Sequence, residues 1–345
     1  MSTANRSTVV RLEPGPINAL TDVPGISVGH FTHDQVYRGV TAILCEGSAT
    51  AGVSVRGSNP GTIHTDALGP TTIGGMVHGI GLSGGSLFGL GAIAGIAEWL
   101  LQQGIGLRQR GALIPIVPGA VIYDLDLSDP FLHPTSDWGR QAAEAAKPGP
   151  FARGNVGAGT GGTAGKGPGG VRTKGGLGTA SLLLPGGIVV GALVVINALG
   201  SLVHPATGEL YATSGGFDIP LLYHQVDDEA AQVTPLTNTT LGVVATNAQM
   251  DKPQLVKVAD LVHDGLARAI RPLHAMRDGD TVFALSTHSA SVTLPDTSGP
   301  NLTDLIGHAA ADAMVRAVLD AVEQTPGIGE WPSVGDAQAA IRGRT

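Results

Sequence analysis

A threonine that could act as a nucleophile stands at the boundary between a polar segment and an apolar, strand-like run. Thr239 opens the run 239–246, and the segment 226–237 before it is polar and acidic. A hydroxyl at such a boundary could attack the carbonyl of Asn238, turn the peptide bond into an ester, and release with water a new chain beginning at Thr239. The freed α-amine, with a reference pKa of about 7.7–8.0, could then act as the base for its own hydroxyl. In this interpretation, Thr239 alone would supply both the nucleophile and the base.

The same residues also fit two simpler interpretations. Asn238-Thr239-Thr240 is an acceptor sequence for N-glycosylation, as is Asn301-Leu302-Thr303, but this requires secretion, which no feature of the sequence supports. A pair of threonines beginning an ordinary strand is the commoner pattern, because threonine favours strands. From these residues alone, the ordinary strand is the favoured interpretation.

The composition is that of a globular protein with an unusual amount of glycine. Of the 345 residues, 52 are glycine, 42% are hydrophobic and only 4% are aromatic, which predicts many tight turns in one large domain or two. The net charge of −8, without a cluster of Lys or Arg, argues against nucleic acid as a partner. The single cysteine, Cys45, excludes an internal disulfide and a cysteine metal site, and its apolar neighbours predict a buried structural thiol.

Residues 1–16 are predicted to form a flexible arm. They carry Arg6, Arg11 and Glu13 without an apolar core, which is not the pattern of a signal peptide. The uncharged stretch 67–97 is interrupted by many glycines and a proline, so a buried layer is favoured over a membrane span. A cytoplasmic location is the expectation.

Strand-like and helix-like segments alternate along the rest of the chain. Runs of β-prone residues predict strands at 39–46, 51–57, 75–81, 112–117, 120–125, 177–184, 187–197, 239–246 and 280–286. The spacing of apolar residues predicts helices at 86–103, at 136–146, from Pro253 onwards and at 301–324. Buried strands with helices outside them favour a layered α/β architecture.

The glycine-rich segment 154–176 is similar to two nucleotide-binding patterns but satisfies neither. Residues 157–162 match G-x-G-x-x-G, yet no Asp or Glu occurs from 145 to 208 to bind a ribose. Gly165-Lys166 lacks the first glycine and the Ser/Thr of a phosphate-binding loop. A lysine held in glycine-rich backbone could instead approach a reacting carbonyl and stabilise negative charge there. The basic residues of this part of the chain are Lys147, Arg153, Lys166, Arg172 and Lys174.

Seven further strings occur in order along the chain. They are 20–30 (LTDVPGISVGH), 51–62 (AGVSVRGSNPGT), 82–86 (LSGGS), 119–124 (GAVIYD), 154–161 (GNVGAGTG), 174–179 (KGGLGT) and 278–284 (DGDTVFA). Together with Asn238-Thr239, they resemble the self-processing L-aminopeptidase/D-esterase family, which includes β-peptidyl aminopeptidases and the nylon-oligomer (6-aminohexanoate oligomer) hydrolases. The match runs from about Leu20 to Glu323. So many strings in the same order make the resemblance specific.

The resemblance implies which residues carry the chemistry. Thr239 would be the nucleophile, with self-cleavage after Asn238. Asn197 matches the family's oxyanion-stabilising asparagine, and such an N–H could contribute about 2.7–4 kcal/mol in the transition state; an asparagine in a turn at a strand end is the alternative. Lys166 matches the catalytic lysine of the nylon hydrolases, and Lys174 matches the Lys-Gly-Gly of the aminopeptidase branch. Lys166 is favoured, with Lys174 as its rival.

Four more residues are expected near the nucleophile. Asp278 and Asp280 match an aspartate pair of the nylon hydrolases. The two residues are two positions apart at the start of a strand, so their side chains would lie on one side of it. There they could hold the Thr239 ammonium or hydroxyl by charge-assisted hydrogen bonds. Without the resemblance, a solvated Asp-Gly turn would be favoured. Tyr123 matches a pocket tyrosine whose hydroxyl points at the substrate, with a packed core aromatic as the alternative. Ser86 is expected to contact the substrate as well.

The resemblance also implies the fold, the assembly and the reaction. The fold would be a four-layer αββα sandwich of the N-terminal-nucleophile-hydrolase type. A single domain, 17–345, would be cut into chains 1–238 and 239–345 that assemble into homo-oligomers, often tetramers of the cleaved pair. The expected activity is hydrolysis of amide bonds in short peptides or 6-aminohexanoate oligomers through an acyl-enzyme on Thr239. No metal or organic cofactor is expected, since the histidines show no His-Glu-x-x-His spacing.

The sequence does not decide which substrate the protein cleaves or whether it is catalytically active. Asn-Thr at the cut favours the nylon-hydrolase branch, whereas Arg56-Gly57-Ser58 and Lys174-Gly175-Gly176 look more like the aminopeptidase branch. An L-aminopeptidase/D-amino-acid esterase or a β-peptidyl aminopeptidase is therefore an alternative. So are a binding protein on the same fold that cuts poorly or not at all, and a cofactor-dependent α/β enzyme that uses the glycine-rich loop.

Overall fold

The computed structural model describes residues 12–166, 171–208, 211, 238–290 and 301–342. In these residues the helices are α1 (Leu90–Gln102), α2 (Ser136–Glu144), α3 (Lys252–Ala269), α4 (Leu302–Gln324) and α5 (Val334–Arg342). The strands are β1 (Ile26–Thr32), β2 (Gly39–Val55), β3 (Thr62–Ile63), β4 (Met76–Ser83), β5 (Leu107–Gln109), β6 (Ala112–Ile114), β7 (Gly119–Val121), β8 (Thr163–Ala164), β9 (Thr173–Lys174), β10 (Leu177–Leu184), β11 (Ile188–Asn197), β12 (Ser201–Leu202), β13 (Thr239–Thr246), β14 (Ile270–Arg271) and β15 (Thr281–Ser286). The polar segment 226–237 lies outside the described residues.

Most of the strands join one mixed sheet. Within the described residues its order is β10-β11-β13-β15-β2-β4-β7-β3, and β1 also pairs with β2. The long strand β2 links the two halves, because its first part pairs with β1 and β4 and its last part pairs with β15. A register shift between Leu44 and Ala49 marks the change. The sequence predicted two strands here, 39–46 and 51–57, but the strand continues through this irregularity and makes them one.

Three apolar cores show how the layers stack. The first lies between helices α1 and α2 and the strands β2 and β4, and includes Ile93. The middle core is formed by strands from both halves of the sheet, which therefore face each other; Leu82 and Val195 belong to it. The third lies between helices α3 and α4 and the other half of the sheet, and includes Val258 and Met314. The order of layers is helix, sheet, sheet and helix, which confirms the predicted αββα sandwich.

The apolar run of β13 is buried on both faces. Leu241 and Val243 belong to the middle core, whereas Val244 packs into the core beneath α3 and α4. At Gly242 a Cβ atom would lie 2.9 Å from Met314 Cε, so helix α4 rests directly on this strand. Burial on both faces explains why the sequence reads as a continuous apolar run rather than as an alternation of apolar and polar residues.

The predicted helices are present, with shifted ends. In the predicted helix 86–103, Ser86–Gly89 forms a 3₁₀ turn before α1 begins. Helix α3 begins with a capping box, in which the Asp251 side chain accepts the Gln254 N–H and the Gln254 side chain accepts the Asp251 N–H, both at 2.9 Å. Helix α5 was not predicted. Among the helices of the described residues, none combines the length and the hydropathy needed to cross a bilayer.

The described end of the predicted arm is docked on the domain. Of residues 1–16, the structure describes 12–16. There the Gly15 N–H donates to Ser181 Oγ at 3.1 Å, and Glu13 forms an isolated bridge with Leu183 on β10. These contacts place residues 13–15 along β10, the strand at one end of the sheet.

Cys45 lies in the middle core, where it is 3% exposed. Burial raises the pKa of its thiol to about 12. The thiol therefore stays protonated and packs as a small apolar side chain, as expected of a structural cysteine.

A buried ion pair anchors the segment that follows β7. Arg38 is fully buried, and its Nε donates to Asp124 Oδ1 at 3.2 Å. The guanidinium also donates to the main-chain oxygens of Leu132 and Asp124, at 2.7 and 3.1 Å. The Gly85 N–H is a further donor, 2.7 Å from Asp124 Oδ1. Arg38 therefore ties the loop after Tyr123 to the start of β2 and to the turn before α1.

Replacing Arg38 with methionine (Arg38→Met) should cost about 3–5 kcal/mol of unfolding free energy, because the Asp124 carboxylate stays buried without its partner. Urea unfolding of the variant and the wild type measures this difference. Arg140→Met is the matched control, since Arg140 pairs with Asp137 and Glu144 on the exposed surface of α2. Its loss should leave the unfolding midpoint nearly unchanged. Equal losses for the two variants would contradict the importance of the buried pair.

Candidate active site

The ends of three neighbouring strands position the predicted nucleophile. Thr239, the first residue of β13, is the register partner of Asn197, the last residue of β11. On the other side of β13, Asn238 forms an isolated parallel bridge with Asp278, just before β15 begins. Adjacent strands lie about 4.8 Å apart, so the main chains of Asn197, Thr239 and Asp278 lie side by side. The register thus brings together three residues that the sequence singled out.

The peptide group between Asn238 and Thr239 contacts two hydrogen-bond donors. Thr239 Oγ1 donates to the Asn238 carbonyl oxygen at 2.5 Å, and the Gly279 N–H donates to the same oxygen at 3.0 Å. Asn238 and Thr239 are only 2% and 5% exposed. This arrangement suits an attack by the hydroxyl on the carbonyl, because the N–H can stabilise the oxyanion that would form.

Gly279 was not assigned a role from the sequence, although it lies within the DGDTVFA string. A Cβ atom at this position would lie 2.7 Å from Thr239 Oγ1 and 2.9 Å from the Asn59 carbonyl oxygen. A larger residue would therefore displace the hydroxyl or the adjoining loop. The group that Gly279 contributes is its backbone N–H, which every residue type except proline has. In the sequence, only its position within the DGDTVFA string pointed to it.

Lys166 and Tyr123 meet at the side chain of Asn197. Lys166 Nζ donates to Asn197 Oδ1 at 2.6 Å and to the main-chain oxygen of Asn197 at 3.2 Å. Asn197 Nδ2 donates to the Tyr123 carbonyl oxygen at 2.7 Å. Burial lowers the pKa of Lys166 well below its usual value, and the positive charge of Arg172 lowers it further. The lysine is therefore poised to exchange a proton beside the strand partner of Thr239.

Lys174, the rival lysine, has a different environment. Its Nζ donates to the main-chain oxygen of Thr160 at 2.6 Å, and the residue is 1% exposed. Burial lowers the pKa of Lys174 to about 7, against the opposing effect of the Asp124 carboxylate. The structure thus places Lys166 on Asn197 and places Lys174 behind the glycine-rich loop.

The two predicted aspartates lie together, just before β15. Asp280 Oδ1 accepts the Thr240 N–H at 2.6 Å, while Asp280 Oδ2 accepts the His274 N–H at 3.1 Å and contacts His274 Nδ1 at 2.7 Å. Asp278 Oδ2 accepts the Ala275 N–H at 2.7 Å. The contact of Asp280 on β13 is to the N–H of Thr240, the residue that follows Thr239. His274 carried no signal in the sequence.

The two carboxylates differ in their environments. Both are almost fully buried, at 2% exposure for Asp278 and 1% for Asp280. Burial, followed by the negative charge of Asp280, raises the pKa of Asp278 to about 6. Asp278 Oδ1 has no hydrogen-bond partner among the described residues. Asp280 instead accepts three donors from the protein, whereas Asp278 ionises with difficulty.

A cavity of about 120 Å³ opens beside Thr239. Its lining includes Asn238 and Thr239 together with the two predicted substrate-binding residues, Ser86 and Tyr123. Apolar side chains line it as well, among them Leu87. A cavity that joins polar groups and apolar surface next to a buried hydroxyl has the character of a small-molecule site.

Comparison with known proteins identifies relatives over most of the chain. A family model described as Peptidase family S58 matches residues 18–329. The chain is 39% identical over 337 residues to an uncharacterized aminopeptidase of Mycobacterium leprae, covering 90% of this chain and 91% of the relative. It is 34% identical over 313 residues to a 6-aminohexanoate-oligomer endohydrolase of Paenarthrobacter ureafaciens, covering 87% of this chain and 84% of the relative.

Solved structures share the architecture. The chain is similar to a beta-aminopeptidase of Burkholderia sp., with a TM-score of 0.72 and 24% identity. It is also similar to an L-aminopeptidase D-Ala-esterase/amidase of Ochrobactrum anthropi, with a TM-score of 0.71 and 23% identity. Each comparison covers 97% of this chain and 96% of the solved chain. The second structure is described as a variant of the Ntn hydrolase fold, which confirms the fold class predicted from the sequence.

Asp278→Asn should change how stability depends on pH. The folded-state pKa of Asp278, about 6, lies above the value of about 3.9 expected in the unfolded chain. Ionisation of Asp278 therefore opposes folding as the pH rises from about 4 through about 6. The variant cannot ionise at this position, so its stability relative to the unsubstituted chain should be higher at pH 8 than at pH 4, by roughly 1–3 kcal/mol.

Urea unfolding at the two pH values measures this difference. Both proteins should carry Thr239→Ala, so that each chain stays whole. All other titrating groups are common to the two proteins and cancel in the comparison. A stability difference that is the same at both pH values would contradict the raised pKa of Asp278.

Proposed function

Because the chain belongs to peptidase family S58, we propose that it is a self-processing amidohydrolase whose nucleophile, Thr239, is freed by cleavage of the Asn238–Thr239 bond. The chain is a hydrolase of peptide or amide bonds, as its family and its relatives show. The proposal of self-cleavage at this bond rests on the 2.5 Å contact between Thr239 Oγ1 and the Asn238 carbonyl oxygen, which lies inside a buried cluster of ionisable groups.

Self-cleavage uses the groups around this bond. Thr239 Oγ1 attacks the Asn238 carbonyl carbon, and its proton passes to Lys166, whose lowered pKa makes the neutral amine accessible. The Gly279 N–H holds the oxyanion. The C–N bond then breaks, the Thr239 amine takes up a proton, and an ester joins the two residues. Water hydrolyses this ester and leaves a carboxylate on Asn238 and a free hydroxyl and amine on Thr239.

Turnover of a substrate amide repeats this chemistry at the freed residue. The Thr239 amine takes the proton of its own hydroxyl, directly or through a water, and the hydroxyl attacks the substrate carbonyl. Protonated Lys166 and an N–H of the Asn197 side chain stabilise the oxyanion. The amine product leaves, and water hydrolyses the acyl-enzyme. Asp278 and Asp280 lie where they can hold the ammonium form of the amine.

The two pieces have to stay together for this site to exist. Lys166 and Asn197 precede the cut, whereas Asp278 and Asp280 follow it. Strand β13, which would begin the second piece, pairs with β11 of the first piece and with β15 of the second. Sheet hydrogen bonds therefore hold chains 1–238 and 239–345 in one domain. We further expect homo-oligomers of cleaved pairs, in the cytoplasm.

The substrate is an amide or a short peptide, and two classes are proposed. The 34% identity to a 6-aminohexanoate-oligomer endohydrolase supports hydrolysis of such oligomers. The 39% identity to a relative named an aminopeptidase supports removal of N-terminal residues from short peptides. Parallel assays with 6-aminohexanoate oligomers and with amino-acid p-nitroanilides would separate the two classes.

Thr239→Ala should abolish turnover of whichever substrate the wild type accepts, by at least about 10³-fold in kcat/KM, because nucleophile and base are lost together. Thr239→Ser keeps a hydroxyl and an α-amine and should remain measurably active. Product release, followed by absorbance or by chromatography, checks both variants. Wild-type rates in Thr239→Ala would rule out this nucleophile, and a wild type that is inactive on both substrate classes would favour a binding protein.

Lys166→Met and Lys174→Met should separate the two lysines. Loss of the Lys166 ammonium beside Asn197 should lower kcat/KM by about 10²–10³-fold. Lys174→Met leaves the Thr160 carbonyl without this donor. The main effect of this substitution should be a lower melting temperature, and kcat/KM should change far less than in Lys166→Met. Because Lys166 is also the proposed proton acceptor of self-cleavage, the wild type and both variants are assayed as chains 1–238 and 239–345 produced separately and combined, so that Thr239 is N-terminal in each. The opposite pattern would transfer the catalytic role to Lys174.

A further inference from the structure

A left-handed turn before β15 brings two successive backbone N–H groups onto the two aspartates. His274 has a φ of 59°, a conformation that residues other than glycine and asparagine adopt rarely. Its own N–H donates to Asp280 Oδ2 at 3.1 Å, and the next N–H, of Ala275, donates to Asp278 Oδ2 at 2.7 Å. Successive N–H groups in such a turn form a concave anion-binding site. Here the anions are side chains of the same chain.

The side chain of His274 adds a third contact. Its Nδ1 lies 2.7 Å from Asp280 Oδ2. A carboxylate oxygen accepts hydrogen bonds, so Nδ1 carries the hydrogen and donates it. The other oxygen of Asp280 accepts the N–H of Thr240, the residue that follows the nucleophile. A continuous path of hydrogen bonds thus runs from the His274 ring through Asp280 to the first residues of β13.

A second histidine supports the ring from behind. The rings of His263 and His274 lie 4.7 Å apart and are nearly perpendicular, at 74°. His263 Nε2 lies 3.2 Å from the main-chain oxygen of Ser54 and therefore donates to it. Burial, followed by the charge of His274, lowers the pKa of His263 to about 4. His263 is thus a neutral packing partner on α3.

We propose that His274 is a positioning residue for the amide hydrolysis: its ring and its backbone hold Asp280, and Asp280 holds the start of β13 and with it the Thr239 nucleophile. The inference rests on the proposed function. His274 is absent from the lining of the cavity beside Thr239, so its side chain acts on the reacting groups through Asp280. The charged and titratable groups that face it are Asp280, Asp278 and His263.

Two substitutions distinguish positioning from packing. His274→Ala removes the ring donor and keeps the backbone N–H. His274→Asn keeps an N–H donor close to the place of Nδ1, and asparagine tolerates the left-handed conformation. Self-cleavage and kcat should fall by about 10–100-fold in His274→Ala, with little change in KM, and should largely recover in His274→Asn. His274→Gly, which relieves the backbone strain of the turn, serves if the alanine variant does not fold.

The split between kcat and KM, together with recovery in His274→Asn, supplies a readout that packing alone would not give. Loss of packing alone would impair both variants alike, because neither alanine nor asparagine fills the volume of the imidazole. Loss of the donor to Asp280 impairs the alanine variant and spares the asparagine variant. His288→Ala is the matched control, because His288 also has a left-handed φ, of 53°, and a side-chain hydrogen bond, to Thr50, beyond the other end of β15.

The outcomes separate this inference from the proposed function. A wild type that cleaves itself and hydrolyses amides, together with an alanine variant of equal kcat, overturns the inference alone. Equal losses in His274→Asn and His274→Ala also overturn it, since loss of packing would explain them. A wild-type chain that neither cleaves nor hydrolyses overturns the proposed function and the inference with it.

Discussion

The site depends on the register of three strand ends. Thr239 lies opposite Asn197 on one side and next to the Asn238–Asp278 bridge on the other. Because side chains alternate along a strand, a slip of one residue would exchange the two faces of β13 and move Val243 and Val244 into each other's cores. Both faces are buried, so the two cores oppose such a slip. The packing of the sandwich is therefore what keeps Thr239 beside Asn197 and the Asn238 carbonyl beside the Gly279 N–H.

Close packing around these strand ends also sets the electrostatics. Cβ atoms at Gly162 or Gly175 would each lie 2.2 Å from the Ile196 carbonyl oxygen, so the glycine-rich loop rests against the end of β11. The loop delivers Lys166 to a buried place, and burial is the main cause of its lowered pKa. The same effect raises the pKa of Asp278 to about 6. A buried cluster in which the pKa of a lysine is lowered and that of a carboxyl group is raised suits proton transfer.

The sequence predicted the layers and most residues at the strand ends, because apolar periodicity and family-like strings are local features. Other properties depend on the path of the chain in three dimensions. Lys166 and Lys174 lie in the same glycine-rich segment, and the fold alone shows that one contacts Asn197 and the other does not. His274 reaches Asp280 through a left-handed turn that no periodic pattern marks. The joining of two predicted strands into β2 likewise follows from pairing with β4 and β15.

Self-cleavage of the Asn238–Thr239 bond is tested most directly by intact mass and N-terminal sequencing of the purified, aged wild-type protein. Cleavage at this bond gives two chains that copurify, corresponding to residues 1–238 and 239–345, and the second begins Thr-Thr-Leu-Gly-Val. A single intact chain of 345 residues, or a new N-terminus at any other position, would contradict Thr239 as an N-terminal nucleophile.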